Sequence, residues 1–233
     1  VKDGRAAACV SAGNTGALTA IAHFVLKTLP SIERAAIMSA IPSLVGHTHM
    51  LDLGANTRAT AAQLGQFARM GAIVAHGLHG IEAPRVGLLN VGEEDIKGHE
   101  VVQAAHVLLG QSGVRYVGFV EGDAIFTGEV DVVVTDGFTG NVALKTMEGL
   151  ARLIAARTRS ELRASLRGAI GAWIAQPALR RVAEGLDPRR YNGACMVGLG
   201  GIVVKSHGRA DATAFTQAVE LAVVEERDDL VEQ

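Results

Sequence analysis

Aromatic side chains are scarce in this sequence: they make up 4% of 233 residues, with a single tryptophan. That leaves little material for an aromatic-lined recognition surface of the kind that stacks bases, and no nucleic-acid partner is expected. Cysteine is rarer still. Cys9 and Cys195 stand far apart, and two such residues supply neither a disulfide framework nor the spaced ligands of a metal site. Both are expected as small buried hydrophobes. No run of about 18 apolar residues occurs, so no segment has the length of a membrane-spanning helix. No signal-peptide pattern is read at the start. An overall excess of one charge is lacking too, the formal net charge being -2.

What the chain does have is glycine (28 residues) and a hydrophobic share of 48%, a globular composition suited to tight turns and one large domain. The first residue is Val and a strand follows almost at once, so a further N-terminal segment is expected. Short apolar or β-branched runs at 6–11, 35–40, 49–53, 85–91, 116–120, 130–135 and 201–205 read as strands. Helical periods fall at 17–29, 59–76, 98–109, 141–157 and from Asp211 to about Leu230. Alternation of this kind predicts parallel strands joined by crossover helices, an α/β layered fold. Ligands in such sheets sit at the carboxyl ends of strands. Ser11, Asn56, Gly92, Glu121, Asp136 and Ser206 each follow a predicted strand, and are expected to share one rim.

One region differs in charge. Residues 150–190 hold nine arginines against three acids, which leaves +6 there and -8 elsewhere. Leu162, Leu166, Ile170, Trp173 and Ile174 recur at helical spacing, and Pro177 is expected to break the segment into a helical hairpin. Two readings are open. The segment is a core-facing helix with a solvated basic face, or it is a docking surface for an acidic protein or an anionic bilayer.

Five stretches carry candidate chemistry. VSAGNTGAL (10–18) is a strand, a small-residue loop and a helix start, which offers an anion the free N–H groups and dipole of a helix N-terminus. It lacks the glycine spacing of a dinucleotide fingerprint and the Gly-Lys-Ser/Thr of a P-loop, and a plain βα turn fits it equally. LDLGANTR (51–58) sets Asp52 in an apolar strand, where an acid is costly unless paired, and exposes Asn56 after a glycine turn. Its DLG-x-N pattern is similar to the phosphate hairpin of sugar kinases, although that hairpin opens its fold and here an α/β unit precedes it. GLLNVGEEDIKGHE (87–100) and TDGFTGNVALKTMEG (135–149) end strands in acids or amides. Lys145 stands a turn into the helix after the latter, where it either reaches an anion or is merely solvated. GGIVVKSHGRADA (200–212) gathers Lys205, Ser206 and His207 at a strand end beside a helix start, an oxyanion-binding set.

Taken in order, VSAGNTGAL, LDLGAN, IEAPRVGLLNVGEEDIKG, DVVVTDGFTGNVALKTMEG and YNGACMVGLGGIVVKSHGRADATAF resemble the bacterial phosphate acyltransferase family, the acyl-carrier-protein:phosphate acyltransferases of phospholipid synthesis. The resemblance runs over essentially the whole chain. Members of that family begin with a further strand and loop, rich in Asp and Gly, ahead of the point where this chain starts. After LDLGAN they usually continue Val-Asp, where this chain has Thr57-Arg58.

The resemblance implies a Rossmann-like three-layer α/β/α sandwich related to phosphate acetyltransferases and isopropylmalate dehydrogenases, with residues 150–190 as a protruding basic helical hairpin. It implies transfer of a long-chain acyl group from acyl-carrier protein to inorganic phosphate, with no cofactor and no metal. The enzyme is expected to be a cytoplasmic homodimer, peripheral at the inner face of the membrane, handing acyl phosphate to a membrane glycerol-phosphate acyltransferase. Under this reading Ser11, Gly13, Asn14, Thr15, Gly16 and Ser206 bind phosphate. Lys205, His207, Asn56 and Lys145 are the catalytic candidates, with His207 protonating the departing sulfur and Asp211 paired with Ser206. Arg159, Arg163, Arg167, Ile170, Trp173 and Ile174 are expected to meet carrier protein or membrane. A non-catalytic scaffold of the same pathway is the alternative.

Overall fold

The computed structural model describes residues 1–187, 189–228 and 231. It has two compact units, Val1–Asn141 with Arg189–Gln233, and Val142–Pro188. The larger unit is built on one eight-stranded sheet. Its strands are β1 (Ala8–Ser11), β2 (Ala36–Ser43), β3 (Gly46–Leu51), β4 (Val86–Leu89), β5 (Tyr116–Val120), β6 (Val132–Val134), β7 (Ala194–Val197) and β8 (Ile202–Lys205). The helices are α1 (Thr15–Leu26), α2 (Ala61–His79), α3 (Glu100–Leu109), α4 (Ala124–Thr127), α5 (Gly137–Arg163), α6 (Leu166–Gly185) and α7 (Ala212–Arg227). The expected end of the last helix at Leu230 lies outside the described residues.

Strand order is β1-β8-β7-β2-β3-β6-β4-β5. The sheet is mixed, which corrects the all-parallel expectation. β1 and β8 run parallel, while β7 is antiparallel to both β8 and β2. β2 and β3 form an antiparallel hairpin, and β6, β4 and β5 all run parallel to β3. Three reversals lie between β8 and β3, so these two strands point opposite ways. The carboxyl ends of β1 and β8 therefore sit at one end of the sheet, and those of β3, β4, β5 and β6 at the other. The six residues expected on one rim are split between two.

Packing follows from alternation along the strands. Met38, Leu51, Val86, Leu88, Val132 and Val134 turn to one face and form a core with Leu64, Phe67, Val74 and Ala75 of α2 and with Val102 and Ala105 of α3. With the buried Gly71 between them, those α2 positions repeat at three- and four-residue steps, the stripe that lays a helix on a sheet. The helix starts at a reciprocal capping box between Thr60 and Gln63 and stops at Gly80. Ile202 and Val204 of β8 pack against Ala218 and Ala222 of α7. The alternate residues Ile37, Met50, Val133 and Val203 are buried as well, so both faces are covered, and the layers make an α/β/α sandwich.

In the smaller unit, Pro177 lies inside α6 rather than breaking it. It removes one intrahelical N–H and crowds the carbonyl one turn back, yet the helix continues to Gly185. The break falls earlier, at Ala164–Ser165, where Ser165 caps α6 by accepting from Gly168 N at 3.0 Å. No residue of α6 is buried among those described.

Candidate functional site

Two clusters of polar motif residues occupy the two ends of the sheet. At the first, Ser11 of β1 is the register partner of Lys205 of β8, and Ser206 N donates to Ser11 O at 2.9 Å. The SAGNTG loop and the KSH segment are thereby side by side. Asn14 caps α1, its Oδ1 accepting from Ala17 N at 3.0 Å, while Ser11 Oγ accepts from Gly13 N at 3.1 Å. These side chains shape the loop, and the donors it presents outward are the N–H groups of the first helical turn around Thr15 and Gly16. Gly13, Asn14 and Gly16 are exposed.

Against the KSH segment lies a buried amide with no signal in the sequence, Asn192. Asn192 Nδ2 donates to Ser206 Oγ at 2.9 Å and to Ala214 O, and Asn192 Oδ1 accepts from His207 N at 2.9 Å. It ties β8, the KSH segment and α7 into one piece. Ser206 is fully buried and its hydroxyl accepts from Asn192, so it does not lie open at the surface with the loop. Asp211 is not paired with Ser206 by any hydrogen bond among the described residues. It caps α7 through Ala214 N and meets Arg189 at 3.5 Å. His207 is exposed, and its Nδ1 accepts from Arg209 N at 3.1 Å. The neutral ring then carries its proton on Nε2. The Lys205 ammonium donates to Ser206 O.

At the other end, Asp52 follows β3 and is fully buried. Its Oδ1 accepts from Ile37 N, Gly54 N and Ala55 N, and its Oδ2 from Asn56 N and Asn56 Nδ2, all between 2.6 and 3.1 Å. Burial pushes this carboxyl above its usual range, against the pull of the amides it accepts from. Asn56 Nδ2 also donates to Ala35 O at 2.8 Å. The start of α5 presses on this turn: a Cβ at Gly137 would stand 2.7 Å from Asn56 O, and one at Gly140 would collide with Asp52 O. DLGAN and DGFTGN are thus two halves of one packed joint. Lateral spacing alone, three strand gaps of about 4.8 Å each, puts Asn56 about 14 Å or more from Lys205. The two residues do not hold the same anion within one chain, which corrects the grouping expected for Asn56.

Lys145 belongs to the smaller unit, where its ammonium meets Glu148 at 3.0 Å, and Arg152 reaches the same acid. In that unit Trp173 is 76% exposed and Ile170 and Ile174 are 52% and 68% exposed. Arg159, Arg163 and Arg167 are exposed as well.

Two further groups in the larger unit were not anticipated. His47 and His49 of β3 meet His79 at the end of α2, their ligating nitrogens all within 4.8 Å of one another. Burial, with help from the two neighbouring imidazoles, lowers His49 to about 3, and burial lowers His79 to about 4. A two-residue period along a strand is a signal for His47 and His49, but nothing local links them to a residue 30 positions on. The second group is Glu225 of α7, buried against Cys195 of β7, where burial pushes the carboxyl up to about 7.

The profile of the fatty acid synthesis protein family matches residues 1–232. Phosphate acyltransferase of Halorhodospira halophila is 56% identical over 97% of this chain and 66% of its own length. That of Methylococcus capsulatus is 57% identical with the same coverage, and that of Nitrosococcus oceani 53% identical over 99% of this chain and 68% of its own. The chain belongs to the phosphate acyltransferase family. It spans about 66% of the length of the first of these curated relatives. Among solved structures it is similar to the EutD phosphotransacetylase from Staphylococcus aureus, with TM-score 0.60, 17% identity, and coverage of 99% of this chain and 65% of that one. A phosphotransacetylase from Streptococcus pyogenes matches equally, with TM-score 0.60, 18% identity, and coverage of 100% and 65%. These likenesses establish the α/β/α fold.

Proposed function

We propose that this chain carries the phosphate-binding end of an enzyme that transfers a long-chain acyl group from acyl-carrier protein to inorganic phosphate. The observation that carries the reading is the pairing of β1 with β8, which sets a helix N-terminus beside Lys205 and His207. Family membership supplies the reaction class. Phosphate is a poor nucleophile largely because it is strongly solvated and repels an electron-rich carbonyl, so the task is to position it and offset its charge. The first-turn amides of α1 and the Lys205 ammonium meet those two needs.

In the transfer, a phosphate oxygen attacks the thioester carbonyl carbon, the C–S bond breaks, and the carrier leaves as thiol. A thiol pKa of about 8.5 makes this a workable leaving group; the proton that monohydrogen phosphate loses ends on the sulfur, and His207 Nε2–H, on a ring that stays neutral, donates a hydrogen bond to the thiolate as it departs. Ser206 and Asn192 act through the residues they hold. No step is assigned to Asn56, which is consumed by the Asp52 turn, nor to Lys145.

The basic, exposed helices α5 and α6 are the docking surface in this account, with Arg159, Arg163 and Arg167 meeting the acidic carrier. Ile170, Trp173 and Ile174 supply an apolar face for the membrane, where a homodimer passes acyl phosphate to the glycerol-phosphate acyltransferase. The test is formation of labelled acyl phosphate from long-chain acyl-carrier protein and labelled phosphate, with a full-length phosphate acyltransferase as positive control. Saturable product formation that falls in Lys205→Met supports the reading. Absence of product, or a Lys205→Met rate equal to wild type, overturns it.

A further inference from the structure

A cavity of about 350 Å³ opens on the sheet face between α2 and α7, over β2 and β7, and the three histidines line one side of it. We propose that His47, His49 and His79 form a binding site for a zinc-like divalent transition metal, with a fourth coordination position open to this cavity.

The argument begins with the strand. His47 and His49 are two residues apart on β3, so both rings leave the same face of the sheet, the face covered by α2. α2 ends at His79, with Gly80 in the left-handed region turning the chain away. The third ring is thereby delivered onto the other two. His47 and His79 have centroids 4.1 Å apart, and each lies 5.0 Å from His49. His49 is 4% exposed and its Nε2 is buried with no hydrogen-bond partner among the described residues. A buried polar nitrogen left without a partner is costly, and here it belongs to a ring packed against two further imidazoles, each with a lone pair to give.

The donor set selects the metal. Three neutral imidazoles with no carboxylate among them suit zinc, copper, nickel or iron, and exclude calcium and magnesium, which take oxygen ligands. Three protein ligands around an open position is the arrangement of zinc sites that take water or substrate as the fourth ligand. Tetrahedral Zn–N bonds of about 2.1 Å set the nitrogens about 3.4 Å apart, so small side-chain rotations close the present triangle. His79 is exposed and free to make them. The cavity offers the fourth position a water or a small anion, with Arg190, Tyr191 and Glu220 also on its wall. Separate strand and helix segments supply the ligands, which is why spacing in the sequence did not reveal them.

The test uses the chain stripped with chelator and titrated with Zn²⁺ by calorimetry and with Co²⁺ by visible absorption. The expected result is one metal per chain and the visible bands of tetrahedral cobalt. His79→Ala, a change at an exposed position, is expected to weaken zinc binding at least 100-fold and remove the bands, with the metal-free melting temperature unchanged. His76→Ala is the control, since that ring is engaged with Ile81 O at 3.0 Å outside the cluster, and it is expected to bind as wild type. Absence of stoichiometric binding, or binding in His79→Ala equal to wild type, overturns the proposal.

Discussion

The two ends of the sheet use the same kinds of residue for different ends. At the β3–β6 end, the acid and the amide of DLGAN are turned into the joint: Asp52 accepts five hydrogen bonds, Asn56 supplies two of them, and the glycines of DGFTGN leave room for α5 to press against that turn. At the β1–β8 end, the polar side chains buried among the described residues are Asn192 and Ser206, and they stand behind an exposed loop, a lysine and a histidine. A well-patterned polar motif can thus be a joint or a site. What separates the two is whether the motif is pressed into a packed joint or left at an exposed loop.

That contrast is sharpest at Asp52. Asp52→Ala leaves several buried N–H groups without an acceptor, and is expected to lower stability by about 3–5 kcal/mol, or to prevent folding, as read by urea unfolding. A change below 1 kcal/mol would show that the joint is not what holds this end.

Glu225 is the counter-case, a buried acid with one oxygen unpartnered among the described residues. Its folded-state value of about 7 lies above the ordinary 4.5. The native state keeps a proton that the unfolded chain releases, so stability is full below about pH 4.5 and declines as pH rises toward 7. The loss amounts to about 3 kcal/mol. Glu225→Gln is expected to recover most of it at pH 8 and to flatten this part of the stability–pH curve. An unchanged slope in the variant would assign it to other groups.

Effects at the β1–β8 end should appear in turnover instead. Lys205→Met is expected to lower acyl phosphate formation at least tenfold, about 1.4 kcal/mol of transition-state stabilisation, with little change in melting temperature because the lysine is only partly buried. A large loss of stability would move Lys205 into the same class as Asp52. Smallest of all, replacing Arg159, Arg163 and Arg167 by Gln is expected to raise KM for the carrier substrate a few-fold at low salt and to leave kcat alone, the difference vanishing at high ionic strength. Equal KM values at low salt would remove these arginines from the docking surface.

Much of this was legible in the sequence. The strand–loop–helix at 10–18, the strand ending in Lys205 and the buried stripe of α2 follow from periodicity and small residues. Strand direction did not. β7 was not recognised, because Ala194–Val197 is short and lies against glycines, and without it the reversals between β8 and β3 cannot be counted. The β2–β3 hairpin was read as two separate strands because its turn is Leu44-Val45, 87% and 78% exposed, with none of the usual turn residues between its strands. Local propensity reads Pro177 as a break, while the signal that marks the real one is the less conspicuous Ser165, the cap that starts α6. Asn192 stood in plain view in YNGA, but its role depends on three partners distant in sequence. The histidine triangle is illegible for the same reason: its members meet only once α2 is laid on the sheet.

The central claim is that the β1–β8 end binds phosphate, and amide NMR during a phosphate titration tests it most directly. The account predicts saturable shifts at Gly13, Asn14, Thr15, Gly16, Lys205 and His207, with Ala55, Asn56 and Gly137 unmoved. Saturable shifts confined to Ala55, Asn56 and Gly137 would contradict it.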